Sequence, residues 1–267
     1  MVATAVSIIA MIITLAFVNG FQEKVADKIF GFWGHIRVQK YETGKSLISE
    51  ELPLTKNTAV ENNIATTPGV EAYQSFATKS AVLESQNDIE GILIKGIEKN
   101  ENHSALKQFL VAGRWIQFTD SLYSKETLVS DAVAKALQIK INDTIKVHFV
   151  ATNSDAQKTY RKLVVVGFYH TGIDEYDKLF MIADINLIRR INNWEPNQIG
   201  GYEVFIHQYQ NLDAISSALS NALPSEWMSK SIKEVYPNIF DWLDIQDVNR
   251  NVVFIVMGIV ALINLIT

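Results

Sequence analysis

Two apolar runs, one at each end of the chain, constrain what it can fold into more than anything between them. Met1–Val18 and Val252–Ile266 carry no charged residue, whereas the stretch between them has the mixed texture of a water-soluble protein. Spanning a bilayer takes about 20 apolar residues, so each run reads as a truncated transmembrane helix that is expected to continue beyond the chain end. A secretory signal peptide is the main alternative for the first run. It calls for a basic n-region and a small-residue cleavage site, and neither precedes Gln22. A buried core helix is the other alternative.

Helical periodicity runs on past both apolar segments. Phe21, Val25, Ile29 and Phe32 fall at i, i+4, i+8 and i+11, one face of a helix, with Glu23, Lys24, Asp27 and Lys28 around it. The pattern predicts a helix that breaks at Gly31 and Gly34 and passes into an alternating strand, His35–Gln39. Before the second run, in "FDWLDIQDVNRNVV", Trp242, Ile245, Val248 and Val252 form a stripe beside Asp241, Asp244, Asp247 and Arg250. Each membrane helix is therefore extended by an amphipathic segment. A two-helix stalk results if Phe21, Val25 and Ile29 face Trp242, Ile245 and Val248, and these six are the predicted stalk-coupling residues. Two independent surface helices are the alternative.

The stalks flank two similar strand–helix–strand units. The first joins His35–Gln39, a helix near Asn57–Thr66 and a strand from Val70. The second joins Tyr202–His207, a helix near Asn211–Asn221 and a strand near Trp227–Ile232. Pro68-Gly69 and Pro224 sit at equivalent helix-to-strand turns, where proline cannot continue a helix. Between the units, from about Val111 to Asn193, the texture changes. Ser130–Leu137 reads as a short helix with Ser130 or Asp131 as N-cap, and "TIKVHFV" and "KLVVVGFY" read as strands joined through the polar connection "ATNSDAQKTY". The expectation is a β-rich subdomain inserted into the first. The boundaries are a transmembrane helix over 1–19, a stalk over 20–33, the first domain over 34–110 and 195–236, the insertion over 111–194, a second stalk over 237–251 and a transmembrane helix over 252–267.

Few residues offer chemistry. A net charge of -5 without a Lys/Arg cluster argues against nucleic acid. With no cysteine, disulfides and thiolate metal sites are ruled out. "GKS" at Gly44–Ser46 lacks the glycine that a phosphate-binding loop needs five residues earlier, where Gln39 stands. His35, His103, His148, His170 and His207 show no metal-ligand spacing, although His148 and His170 could be neighbours across the two strands. Asp174-Glu175 reads as a turn. Arg114-Trp115 reads as packing plus a surface charge, or as a binding hot spot. The chain is expected to be non-catalytic, with no catalytic, cofactor-binding or metal residue.

Four stretches in chain order resemble a known family. "VNGFQEKVADKIFGFWGHIRV" is similar to the first membrane helix, stalk and opening strand of lipoprotein-releasing ABC permeases of the LolC/LolE type, within the MacB/FtsX superfamily. "GRWIQFTDSLYSKETLVSDAVAKALQIKINDTIKV", "VVVGFYHTGIDEYDKLFMIADINLIRRI" and "DWLDIQDVNRNVVFIVMGIVALINLI" resemble its later segments. Asn142 stands where the family has glycine, and asparagine tolerates the left-handed turn. The resemblance implies an α+β periplasmic domain, with Porter-like strand–helix–strand units and an inserted Sabre-like β-rich subdomain, between two transmembrane helices extended as stalks. It implies a multi-pass permease subunit of the bacterial inner membrane. A cytoplasmic ABC ATPase dimer would hold the ATP and Mg, and a second permease subunit would complete the transporter. Lipoprotein would be the substrate and a periplasmic carrier the acceptor. The connection Ala151–Tyr160 matches the family's carrier-recruiting hairpin, the Hook, but is short and lacks proline. Asn153, Asp155 and Gln157 are its candidate partner contacts, an ordinary solvated hairpin turn is the alternative, and a LolC-like and a LolE-like role both stay open. A MacB-like efflux or mechanotransmission permease, a two-span sensor receptor and an end-anchored secreted enzyme are the alternatives.

Overall fold

The computed structural model describes residues 2–41, 50–85, 88–119, 122–149 and 159–266. In order, the elements are α1 (Val2–Trp33), β1 (Ile36–Lys40), β2 (Leu54–Thr55), α2 (Thr58–Thr66), β3 (Val70–Ser85), β4 (Asp88–Ile97), α3 (Ser104–Lys107), β5 (Leu110–Gly113) and β6 (Glu126–Ser130). They continue as α4 (Asp131–Ala136), β7 (Thr144–Phe149), β8 (Thr159–Tyr169), α5 (Asp174–Leu179), β9 (Phe180–Asp184), α6 (Ile185–Asn192), β10 (Gln198–Ile199) and β11 (Gly201–Ile206). A 3-10 turn (Tyr209–Asn211), α7 (Leu212–Ala222), β12 (Trp227–Ser231), α8 (Ile232–Val235) and α9 (Pro237–Ile266) complete the chain. They form two compact units, Met1–Ile29 with Lys233–Thr267, and Phe30–Ile232.

The first unit is helical. Ile8–Trp33 of α1 is long and apolar enough to cross a membrane, the one such stretch among the described residues. Within this unit the ring of Phe21 meets that of Trp242 edge-on at 5.7 Å. Gln22 Nε2 donates to the carbonyl of Leu243 at 2.9 Å.

The second unit is built on a ten-stranded sheet. Its first part runs β12-β1-β11-β3, every pair antiparallel. The two predicted strand–helix–strand units interleave here, each supplying one central strand and one flanking strand, as in a ferredoxin-like split arrangement. Asn57 caps α2 by accepting from Ala59 and Val60 amides. Asn63 Nδ2 on α2 donates to the carbonyl of Ala222 at the end of α7 at 2.7 Å, which joins the two helices.

β3 is 16 residues long and serves both parts of the sheet. Its first half pairs with β11, and its second half pairs with β4 on one side and β7 on the other. From there β4 pairs with β9, β9 with β6, β6 with β8 and β8 with β7, which returns to β3. The strands thus close a ring, and closure leaves these strands few exposed edges. The β-rich region expected over 111–194 therefore closes with two strands from 70–97, so the first domain and the insertion share one sheet. Ser130 caps α4 through Val133 N at 3.0 Å, and Asn142 takes the left-handed turn at φ 73°.

One break falls differently from the prediction. Gly31 stays inside α1, which ends only at Trp33. A Cβ on Gly31 would lie 2.5 Å from Gln108 Nε2 and 3.1 Å from the ring of Phe109, so the missing side chain permits close packing rather than a turn. Gly34, at φ +70°, makes the turn. Its amide donates to the Phe30 carbonyl at 2.7 Å, a left-handed helix cap.

Candidate functional site: the root of the first helix

The last turn of α1, Phe30–Trp33, belongs to the second unit and is built into its core. Phe32 and Trp33 are fully buried. Phe32 lies 5.1 Å from the ring of Tyr176 and 5.5 Å from Phe180, and Trp33 lies 5.0 Å from Phe180 and 6.0 Å from Phe76. Two cations close over these rings. Lys95 Nζ is 4.3 Å from the Trp33 ring centre and 4.9 Å from that of Phe32. The Arg37 guanidinium is 4.7 Å from Trp33 and 4.5 Å from Phe76.

Each cation has a carboxylate. Lys95 Nζ pairs with Glu203 Oε1 at 2.7 Å and also donates to the carbonyl of Phe32, at the end of α1. The last helix carbonyls carry the negative end of the helix dipole, which a cation there satisfies. Arg37 pairs with Glu51 Oε1 at 2.8 Å, while Glu51 Oε2 accepts from Thr78 N at 2.8 Å and Thr78 Oγ1 at 2.6 Å. Lys95 and Glu203 are 0% and 2% exposed, so desolvation pushes the lysine down and the carboxyl up while each partner's charge opposes it. A buried pair of this kind adds little net stability but fixes geometry through its directional contacts. The chain also leaves the unit beside this point. Ile36 on β1 is opposite Ser231 on β12, and the Ile232 amide donates to the His35 carbonyl at 2.9 Å.

A second titratable group lies on the flank of β3. Glu101 Oε1 accepts from the Ser75 amide at 2.6 Å. Burial, then the nearby Glu98 charge, push its carboxyl up from 4.5 to about 7, against the Ser75 hydrogen bonds. The folded chain therefore keeps a proton that the unfolded chain releases. The group's stabilising contribution is full below about pH 4.5 and is lost as pH rises through about 7. His35 works the other way, because burial lowers its pKa from 6.5 to about 4 and its contribution is lost as pH falls through that window. Glu101→Gln is expected to gain stability relative to the parent as pH climbs from 4.5 to 7, by at most about 1.4 kcal/mol per pH unit, and to hold a constant gain above. Denaturant melts at several pH values check this; a pH-independent difference would contradict it.

Of the predicted stalk residues, Phe21 and Trp242 meet. Ile29 is buried and Val25 half-buried, whereas Ile245 and Val248 are 54% and 61% exposed. Burial on α9 falls instead on Phe240 and Leu243. Asn153, Asp155 and Gln157 lie outside the described residues, as does Gly44–Ser46. His148 and His170 are not brought together. His148 stands opposite Tyr160 and bonds Glu84 Oε2 at 2.5 Å, while His170 follows β8 and reaches Asp131. Arg114 forms a two-pronged pair with Glu126 at 2.6 and 2.5 Å, a structural tie of the loop. The sequence reading missed Lys95, Arg37, Glu51 and Glu203. Its one available signal was a lone lysine inside the apolar strand "GILIKGI".

Comparison with known proteins adds a second line of information. The family model described as the MacB-like periplasmic core domain matches residues 1–220. The chain is 26% identical over 242 residues to the lipoprotein-releasing system transmembrane protein LolC of Buchnera aphidicola subsp. Schizaphis graminum, covering 84% of this chain and 54% of that one. It is 19% identical over 220 residues to the protein of the same name from Neisseria meningitidis serogroup B, covering 80% and 50%. The chain thus spans about half the length of these curated relatives. Among solved structures, it matches the extracellular domain of the noncanonic ABC-type transporter YknZ from Gram-positive bacteria with a TM-score of 0.47, 14% identity and coverage of 73% and 98%. It matches the periplasmic region of MacB from Actinobacillus actinomycetemcomitans with a TM-score of 0.48, 13% identity and coverage of 76% and 91%.

Proposed function

The chain belongs to the MacB-like periplasmic core domain family, and from that premise we propose that it is a permease subunit of an ATP-driven transporter that releases lipoproteins from the bacterial inner membrane. The observation that carries this reading is the similarity to LolC over 84% of the chain. In this reading α1 crosses the membrane, α9 enters it with its uncharged run Val252–Ile266, and the second unit lies in the periplasm. The chain is non-catalytic and holds no cofactor. A cytoplasmic ABC ATPase dimer binds ATP and Mg, a second permease subunit completes the pair, and the Hook-like connection around Asn153, Asp155 and Gln157 contacts a periplasmic carrier.

The root of α1 gives the proposal a mechanism. The last turn of α1, Phe30–Trp33, has a carbonyl bonded to a buried lysine and its last two side chains in an aromatic core, so it cannot rotate or slide without moving the sheet. Displacement of the membrane part of α1 by the ATPase is then delivered to β1, β4 and β11. The test is reconstitution of the full-length protein with its ATPase in proteoliposomes carrying a lipoprotein. ATP-dependent appearance of lipoprotein on a soluble carrier is the expected result. ATP hydrolysis with no lipoprotein leaving the vesicles would overturn the reading.

A further inference from the structure

At the end of the closed ring, three side chains from separate elements converge. Asp131 is the first residue of α4, His170 follows β8, and Asp177 lies on α5. His170 Nδ1 is 3.0 Å from Asp131 Oδ1 and 3.2 Å from Asp177 Oδ2, and the three donor atoms all lie within 4.8 Å of one another. We propose that Asp131, His170 and Asp177 form a binding site for a divalent transition-metal ion of the zinc or cobalt class.

Geometry and charge both favour an ion here. Two ligands each about 2.1 Å from a metal stand about 3.0 Å apart at a right angle and about 3.4 Å apart at the tetrahedral angle. The two separations at His170 Nδ1 match that range. A neutral imidazole has one Nδ1 proton to offer two carboxylate oxygens, whereas a divalent cation bonds all three donors at once. One imidazole with two carboxylates is a donor set that suits zinc and its neighbours rather than calcium or magnesium.

The shell behind the three ligands is already in place. Asp177 is 3% exposed. Its Oδ1 accepts from Thr171 N and Oγ1, both at 2.9 Å, and its Oδ2 accepts from Gly172 N at 2.9 Å. Asp131 Oδ2 accepts from Lys135 Nζ at 2.7 Å, which leaves Oδ1 turned to the histidine. Such outer contacts orient carboxylates for a metal and raise its affinity. His170 is half exposed, so the remaining coordination positions open to water. Bound metal would tie α4 to α5 across the turn that follows β8.

Cobalt titration of the tag-free full-length protein in detergent tests the site, because Co2+ shows ligand-field absorption when held by nitrogen and oxygen donors. Saturable binding of one Co2+, displaced by Zn2+, is expected, with at least tenfold weaker binding in both His170→Ala and Asp131→Asn. Zinc should raise the melting temperature of the parent and of neither variant. Both substitutions lie at the surface side of the cluster, so circular dichroism is expected to report an unchanged fold. Absence of saturable binding, or equal affinity in His170→Ala, would overturn the proposal and leave His170 as a side chain hydrogen-bonded to Asp131.

Discussion

Lys95→Met is expected to destabilise the second unit by about 3–5 kcal/mol, the cost of leaving a buried carboxylate without its partner. Lys95 is 0% exposed and Glu203 is 2% exposed, so water does not replace the lost ammonium. The same change removes the donor to the Phe32 carbonyl and the cation over the rings of Phe32 and Trp33. Methionine keeps the volume of the lysine stem, so the loss reports charge and hydrogen bonding rather than a cavity. The double variant Lys95→Met/Glu203→Leu should regain most of the loss, because it removes both desolvated charges together. Denaturant unfolding of the full-length protein in detergent checks both. A single variant within about 1 kcal/mol of the parent would show that the pair is already solvated or neutral.

Much of the local structure was legible because its signals are local. The capping serine before α4 and the left-handed asparagine at 142 each act within four residues of themselves. Period-two alternation marked β7, and a continuous apolar run marked β8, for the same reason. What could not be read is non-local. Closure of the ring depends on β3 being long enough to pair with three neighbours, and nothing inside Val70–Ser85 states which strands those are. Gly31 was read as a break because glycine weakens a helix in isolation, yet its side of α1 is where Phe109 packs. Periodicity placed the α9 stripe against the α1 stripe, but only part of that pairing forms: Trp242 meets Phe21, while Ile245 and Val248 stay exposed.

The charged cluster at the root of α1 was invisible for a further reason. A lysine, an arginine and two glutamates on separate segments carry no mutual spacing in sequence, and charged residues are buried only when paired. Register is what makes them neighbours. β1 sets Arg37 opposite Glu203, and the β4 and β11 pairings to β3 bring Lys95 within 2.7 Å of that glutamate. The metal-ligand cluster has the same character, since Asp131 and His170 are distant in sequence and meet where β6 and β8 run in parallel.

The proposed transmission of work from ATP hydrolysis to lipoprotein release through α1 and α9 is read out by the number of lipoproteins released per ATP in a stalk variant. Trp242→Asp removes the edge contact with Phe21 at 5.7 Å and puts a charge in its place. Trp242 is 44% exposed and lies in the helical unit, so the sheet of the second unit should fold unchanged. In proteoliposomes containing the complete complex, the variant should hydrolyse ATP within about twofold of the parent rate while release per ATP falls at least tenfold, a coupling loss of about 1.4 kcal/mol or more. An unchanged ratio of release to hydrolysis would contradict transmission through this contact.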